Sequence, residues 1–69
     1  MDNLAELMRY AHKVTITQGD NPVFPYFCEA WFHLDGEVKV SFKVGGTVGE
    51  AVERALEEVK ERCHAKDKV

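Results

Sequence analysis

Val48, Ala51, Val52, Ala55, Leu56, Val59 and Cys63 recur every three or four residues, so a helix would line them along one face. Thr47 and Glu50 precede that stripe with the spacing of a capping box, in which hydroxyl and carboxylate satisfy backbone N–H groups left open by the first turn. A helix over 47–63 therefore carries an apolar face that must be buried against something. Gly45-Gly46 just ahead of it frees the backbone to turn, which separates the helix from what precedes it.

What precedes it alternates. Val38, Val40, Phe42 and Val44 are interleaved with Lys39, Ser41 and Lys43, the period of a strand over 37–44. Tyr26, Cys28, Ala30, Phe32 and Leu34 are interleaved with Phe27, Glu29, Trp31 and His33 in a strand over 26–34. Val14 and Ile16 alternate with Thr15 and Thr17, and this β-branched run predicts a short strand over 13–18. Between the first two strands Pro22 and Pro25 prevent regular pairing. Near the start, Leu4, Leu7, Met8 and Ala11 share one face of a helix over 3–12, with Asn3 and Glu6 placed to cap it. Residues 64–69 are short and charged and read as a frayed tail.

The expected architecture is an α+β fold of order α-β-β-β-α, a three-stranded antiparallel sheet with both helices packed on one face. Its least determined feature is the register of the last hairpin. A two-residue Asp35-Gly36 loop would pair Leu34 with Glu37 and set the even residues of the two strands on opposite faces. A three-residue loop with Gly36 left-handed would pair His33 with Glu37 and gather both apolar sets on one side. The second arrangement is the expected one. It places Trp31 opposite Lys39 and leaves Phe27 and Trp31 on a face that no other element covers.

With 69 residues the chain holds a single domain, 1–69, and a small core. Its 9 basic and 12 acidic residues give a net charge of −3, a balance that disfavours nucleic acid as a partner. No apolar run approaches the roughly 20 residues needed to cross a bilayer. Met1-Asp2-Asn3-Leu4 lacks the basic start of a signal peptide. Cys28 and Cys63 are too few for a disulfide framework, so a cytoplasmic location with reduced thiols is expected.

Chemistry-bearing motifs are sparse. Ser41 lies mid-strand among lysines and reads as a solvated residue without a base beside it. Cys28 and Cys63 fall on core faces and read as small hydrophobes. His12, His33, His64 and the two cysteines have no metal-ligand spacing, and the glycines match no phosphate-binding fingerprint. No enzyme activity, cofactor or metal is expected.

Two surfaces remain as candidates for binding. Glu50, Glu53, Glu57 and Glu61 recur at three- and four-residue spacing and form an acidic line on the outside of the last helix. Phe27 and Trp31 mark the uncovered sheet face, and tryptophan is enriched where binding energy concentrates. With Lys39 and Lys43 beside it, Trp31 would also make a stacking and phosphate surface for RNA. A homodimer through the exposed sheet face is a third reading.

The order α-β-β-β-α, with an alanine-bearing last helix after a glycine-bearing strand end, resembles the double-stranded RNA-binding domain. That family grips phosphates with lysines at a Ser-Lys-Lys-like start to its last helix. Here the stretch is Thr47-Val48-Gly49-Glu50-Ala51, in which the cap and the alanine match and the lysines are missing. In size, acidity and lack of catalytic motifs the chain also resembles small accessory proteins of phages and mobile elements, of the anti-CRISPR type. That resemblance implies an inhibitor that occupies a site on a host protein or nucleic-acid-handling complex. The acidic line, assisted by Phe27 and Trp31, would be its contact surface.

Overall fold

The computed structural model describes residues 2–67, with side chains described as far as His64. The elements are α1 (Asn3–Tyr10), β1 (Ala11–Gln18), β2 (Tyr26–Leu34), β3 (Glu37–Gly45) and α2 (Val48–Asp67). The strands form one antiparallel sheet in the order β1-β2-β3. α2 packs on β2 and β3, and α1 packs on α2 and β1, so both helices cover the same face. The architecture is α-β-β-β-α, as the patterning implies.

α2 begins as its sequence requires. The Thr47 hydroxyl accepts from the Glu50 N–H at 3.0 Å, and the Glu50 carboxylate accepts from the Gly46 N–H at 3.0 Å. Ala51, Val52, Ala55, Leu56 and Val59 are buried beneath the helix, while Val48 at its start is exposed. Small residues bring α2 close to the sheet. A Cβ on Gly45 would stand 2.6 Å from the Ala51 backbone nitrogen, so only glycine fits there. Residues 64–67, expected in a tail, continue α2; Lys68 and Val69 lie outside the described residues.

α1 is shorter than its apolar spacing suggests. Asp2, not Asn3, caps it, accepting from Leu4 N–H at 3.1 Å and Ala5 N–H at 3.4 Å. Glu6 is instead tied to α2, where the Lys60 ammonium donates to it at 3.1 Å. The helix stops at Tyr10 because Ala11 is drawn into pairing with Phe32, and the register shift between Ala11 and Lys13 leaves His12 in a bulge. Leu7 is fully buried, whereas Leu4 and Met8 of the same apolar set stay exposed. Between β1 and β2, Gly19 N–H donates to the Pro25 carbonyl, and the Asn21 carboxamide oxygen accepts from Val23 and Phe24 N–H groups.

The β2–β3 hairpin corrects the expected register. Asp35 and Gly36 both have positive φ, 56° and 78°, as a two-residue type I′ turn demands. Leu34 pairs with Glu37, His33 with Val38, and Trp31 with Val40 rather than Lys39. The Asp-Gly dipeptide prefers this turn because its twist matches that of the strands. The helix-facing side therefore holds Cys28, Ala30 and Phe32 of β2 beside Lys39, Ser41 and Lys43 of β3. β3 tolerates this because it is an edge strand. Its lysines run their stems outward and end on Glu37 at 3.5 Å and Glu58 at 3.1 Å, while Ser41 is small enough to be buried.

Candidate interaction surfaces

The same register sends Val38, Val40, Phe42 and Val44 to the side away from the helices. They join Phe27, Glu29, Trp31 and His33 of β2, and Lys13, Thr15 and Thr17 of β1. Val38 is 55% exposed, Val40 46% and Phe42 54%, an apolar band along β3. Phe27 and Phe42 extend it across the hairpin, with ring centroids 5.8 Å apart and planes inclined by 30°. Trp31 lies between Val40 and Lys13, and the Lys13 ammonium sits 5.0 Å from the Trp31 ring centroid. At the far corner the His12 and His33 rings are 4.8 Å apart. Both helices lie on the other side of the sheet. On this side Gly19 of the β1–β2 connection approaches the edge of the Phe27 ring, where a Cβ would stand 2.7 Å from it.

Trp31, Lys39 and Lys43 do not form a common site. Trp31 is on the open face, whereas Lys39 and Lys43 are on the helix side in ion pairs with Glu37 and Glu58. The lysine beside the indole is Lys13. Sequence reasoning missed the Val38–Val44 band as a surface, although Asp35-Gly36 carried the signal.

The acidic line is present on α2, opposite its buried stripe. Glu50 is engaged by the Gly46 N–H and lies 3.4 Å from Arg54. Glu53, Glu57 and Glu61 are exposed and none is ion-paired with a described residue. Because α2 lies on the helix side of the sheet, these glutamates and Phe27 with Trp31 look in opposite directions. One contact surface cannot contain both, contrary to the expectation that the aromatics assist the acidic line.

Ser41, expected in solvent, is fully buried, and its hydroxyl has no hydrogen-bond partner of standard geometry. Its dipole still reaches the Glu58 carboxyl, which it, followed by Lys43, holds below the usual carboxylate range against partial desolvation. Cys28 is buried, and burial followed by the Glu29 charge pushes its thiol pKa up. That shift suppresses the thiolate needed for reaction. Cys63 is half-buried at the margin of the core. The Lys60 ammonium is held protonated to higher pH by its hydrogen bond from α2 to Glu6. Among the described residues no three histidine, cysteine, aspartate or glutamate side chains are grouped to hold a metal ion. Nor, among the described residues, is any helix long and apolar enough to cross a membrane.

Comparison with protein-family models, curated proteins and solved structures finds no match for this chain.

Proposed function

We propose that this chain is a non-enzymatic protein-interaction module whose partner docks on the open face of the sheet. The observation that carries this reading is the band of half-exposed Val38, Val40 and Phe42 flanked by Trp31 and Phe27. A solvent-facing strand surface needs only polar residues to fold, and contiguous exposed apolar patches mark contact sites. The face has the anatomy of an interface, with apolar and aromatic residues at its centre and Thr15, Thr17, His12 and Lys13 along one rim. The cation on that rim fits a partner protein whose surface is apolar at the centre and acidic where it meets β1. Blocking a site on a host protein, as accessory inhibitors of the anti-CRISPR type do, is one outcome that such docking serves.

Replacing Trp31 and Phe42 together by serine should abolish partner capture while the circular dichroism spectrum stays native. A second reading places the contact on α2, favoured by the exposure of Glu53, Glu57 and Glu61 without an ion-pair partner among the described residues. The reversals Glu53→Lys and Glu57→Lys separate the two. Capture that survives the serine pair and is lost on charge reversal moves the site to the helix.

A further inference from the structure

β3 is an edge strand with an open side, and the hairpin fixes which backbone groups lie there. Leu34 and Glu37 flank a two-residue turn and exchange both backbone hydrogen bonds, so β3 residues of odd number point their N–H and C=O groups at β2. Those of Val38, Val40, Phe42 and Val44 point away from the sheet. The Val44 carbonyl confirms the direction, because it accepts from the Arg54 guanidinium of α2 at 3.0 Å. The others have no partner among the described residues. β3 also lacks the usual protections of an edge. It runs for 9 residues without proline or bulge, and its lysines turn toward the helix layer. The β1 edge, by contrast, is broken by the bulge at His12.

We infer that a second copy of this chain pairs with this edge, β3 against β3 antiparallel about a two-fold axis at Val40, making one continuous six-stranded sheet. Only registers that join even residues to even residues bring the open groups together. With Val40 opposite Val40 of the second copy, Val38 meets Phe42, and all three use both of their backbone groups. On the open face this sets apolar side chains against apolar ones. On the helix side Glu37 then stands opposite Lys43 of the second copy, and Lys39 opposite Ser41. Sliding by one step either way brings Lys39 against Lys39 or against Lys43, so charge selects the Val40-centred register. The Arg54 contact to Val44 closes the edge just beyond it. The pairing is isologous and closes on itself, giving a dimer and not a fibre. It leaves Trp31 and Phe27 uncovered and sets two open faces side by side, so it does not depend on the partner-docking proposal.

Light scattering on the full chain should give the mass of a dimer at micromolar concentration. In a Cys63→Ser background, Val40→Cys should form a disulfide-linked dimer under mild oxidation, because directly paired Cα atoms are about 5.5 Å apart and within disulfide reach. Val38→Cys and Phe42→Cys should not, since each lies about four residues from its own copy along the strand pair. Glu37→Lys, which leaves the open face intact, should raise the dimer dissociation constant about tenfold. A monomer at all concentrations overturns the proposal, as does cross-linking at position 38 or 42 in preference to 40. So does a dimer indifferent to Glu37→Lys but lost on Trp31→Glu, which would be two open faces packed together.

Discussion

The two faces of the sheet carry comparable apolar loads and meet different environments. Cys28, Ala30 and Phe32 on one side are sealed under α1 and α2, with Leu7, Ala55 and Val59 packed into them. Phe27, Trp31, Val40 and Phe42 on the other side have no helix above them. The sealed face is built from small residues around one large ring, which lets the helices approach closely. The open face is built from bulky residues that leave side chains standing in solvent. A sheet whose faces are both apolar is ordinarily covered on both. Here the difference is that one apolar face is closed by the chain's own helices and the other is not, and the docking proposal rests on that contrast.

Phe32→Ala should give the largest effect that tests this contrast. The ring is fully buried, so its loss should cost about 3–5 kcal/mol in denaturant unfolding. Phe42→Ala should cost less than about 1 kcal/mol, because that ring is 54% exposed. Equal losses at the two positions would break the distinction between a structural face and a contact face. Next in size is Thr47→Ala, which removes the acceptor of the Glu50 N–H and should lower the thermal midpoint by an amount equivalent to about 1 kcal/mol. Since α2 covers only the inner face, capture at the open face should survive that change at temperatures where the fold persists.

The smallest effect is expected at Ser41, the one fully buried polar side chain among the described residues. Ser41→Ala removes a buried hydroxyl that lacks a partner of standard geometry but whose dipole lowers the Glu58 pKa. The relief of burial and the loss of that interaction oppose each other, so stability at neutral pH should change by less than about 1 kcal/mol. The Glu58 pKa, read by carboxyl NMR titration, should move back up toward its ordinary value. Glu58 is depressed in the folded state, so its contribution is present above its unfolded pKa and is lost as pH falls through the depressed value. The unfolding free energy of the wild type should therefore fall more steeply on the acid side than that of Glu58→Gln. An unchanged acid slope would mean that Ser41 and Lys43 do not stabilise that carboxylate.

Much of the fold is legible residue by residue. The stripe from Ala51 to Val59, the Thr47–Glu50 cap and the three alternating segments each state a local preference that the protein obeys. α1 is less legible, because Ala11 satisfies a helical spacing and a strand pairing equally well, and tertiary pairing with Phe32 decides between them. The candidate surface was half legible. Phe27 and Trp31 stand out by type, but Val38, Val40 and Phe42 look like core residues until their side of the sheet is known. The glutamates were legible as a line on the helix, and their remoteness from the aromatics was not.

The sequence by itself determined the order and kind of the elements and the start of α2, and at Asp35-Gly36 it marked a turn without settling that turn's length. Only the tertiary structure decided which half of each alternation lies under the helices. A period of two separates two faces without labelling either as inside. In β2 the even residues were buried and in β3 the odd ones, because a two-residue turn sets the parity and an edge strand can bury a serine between lysines that reach past it to water.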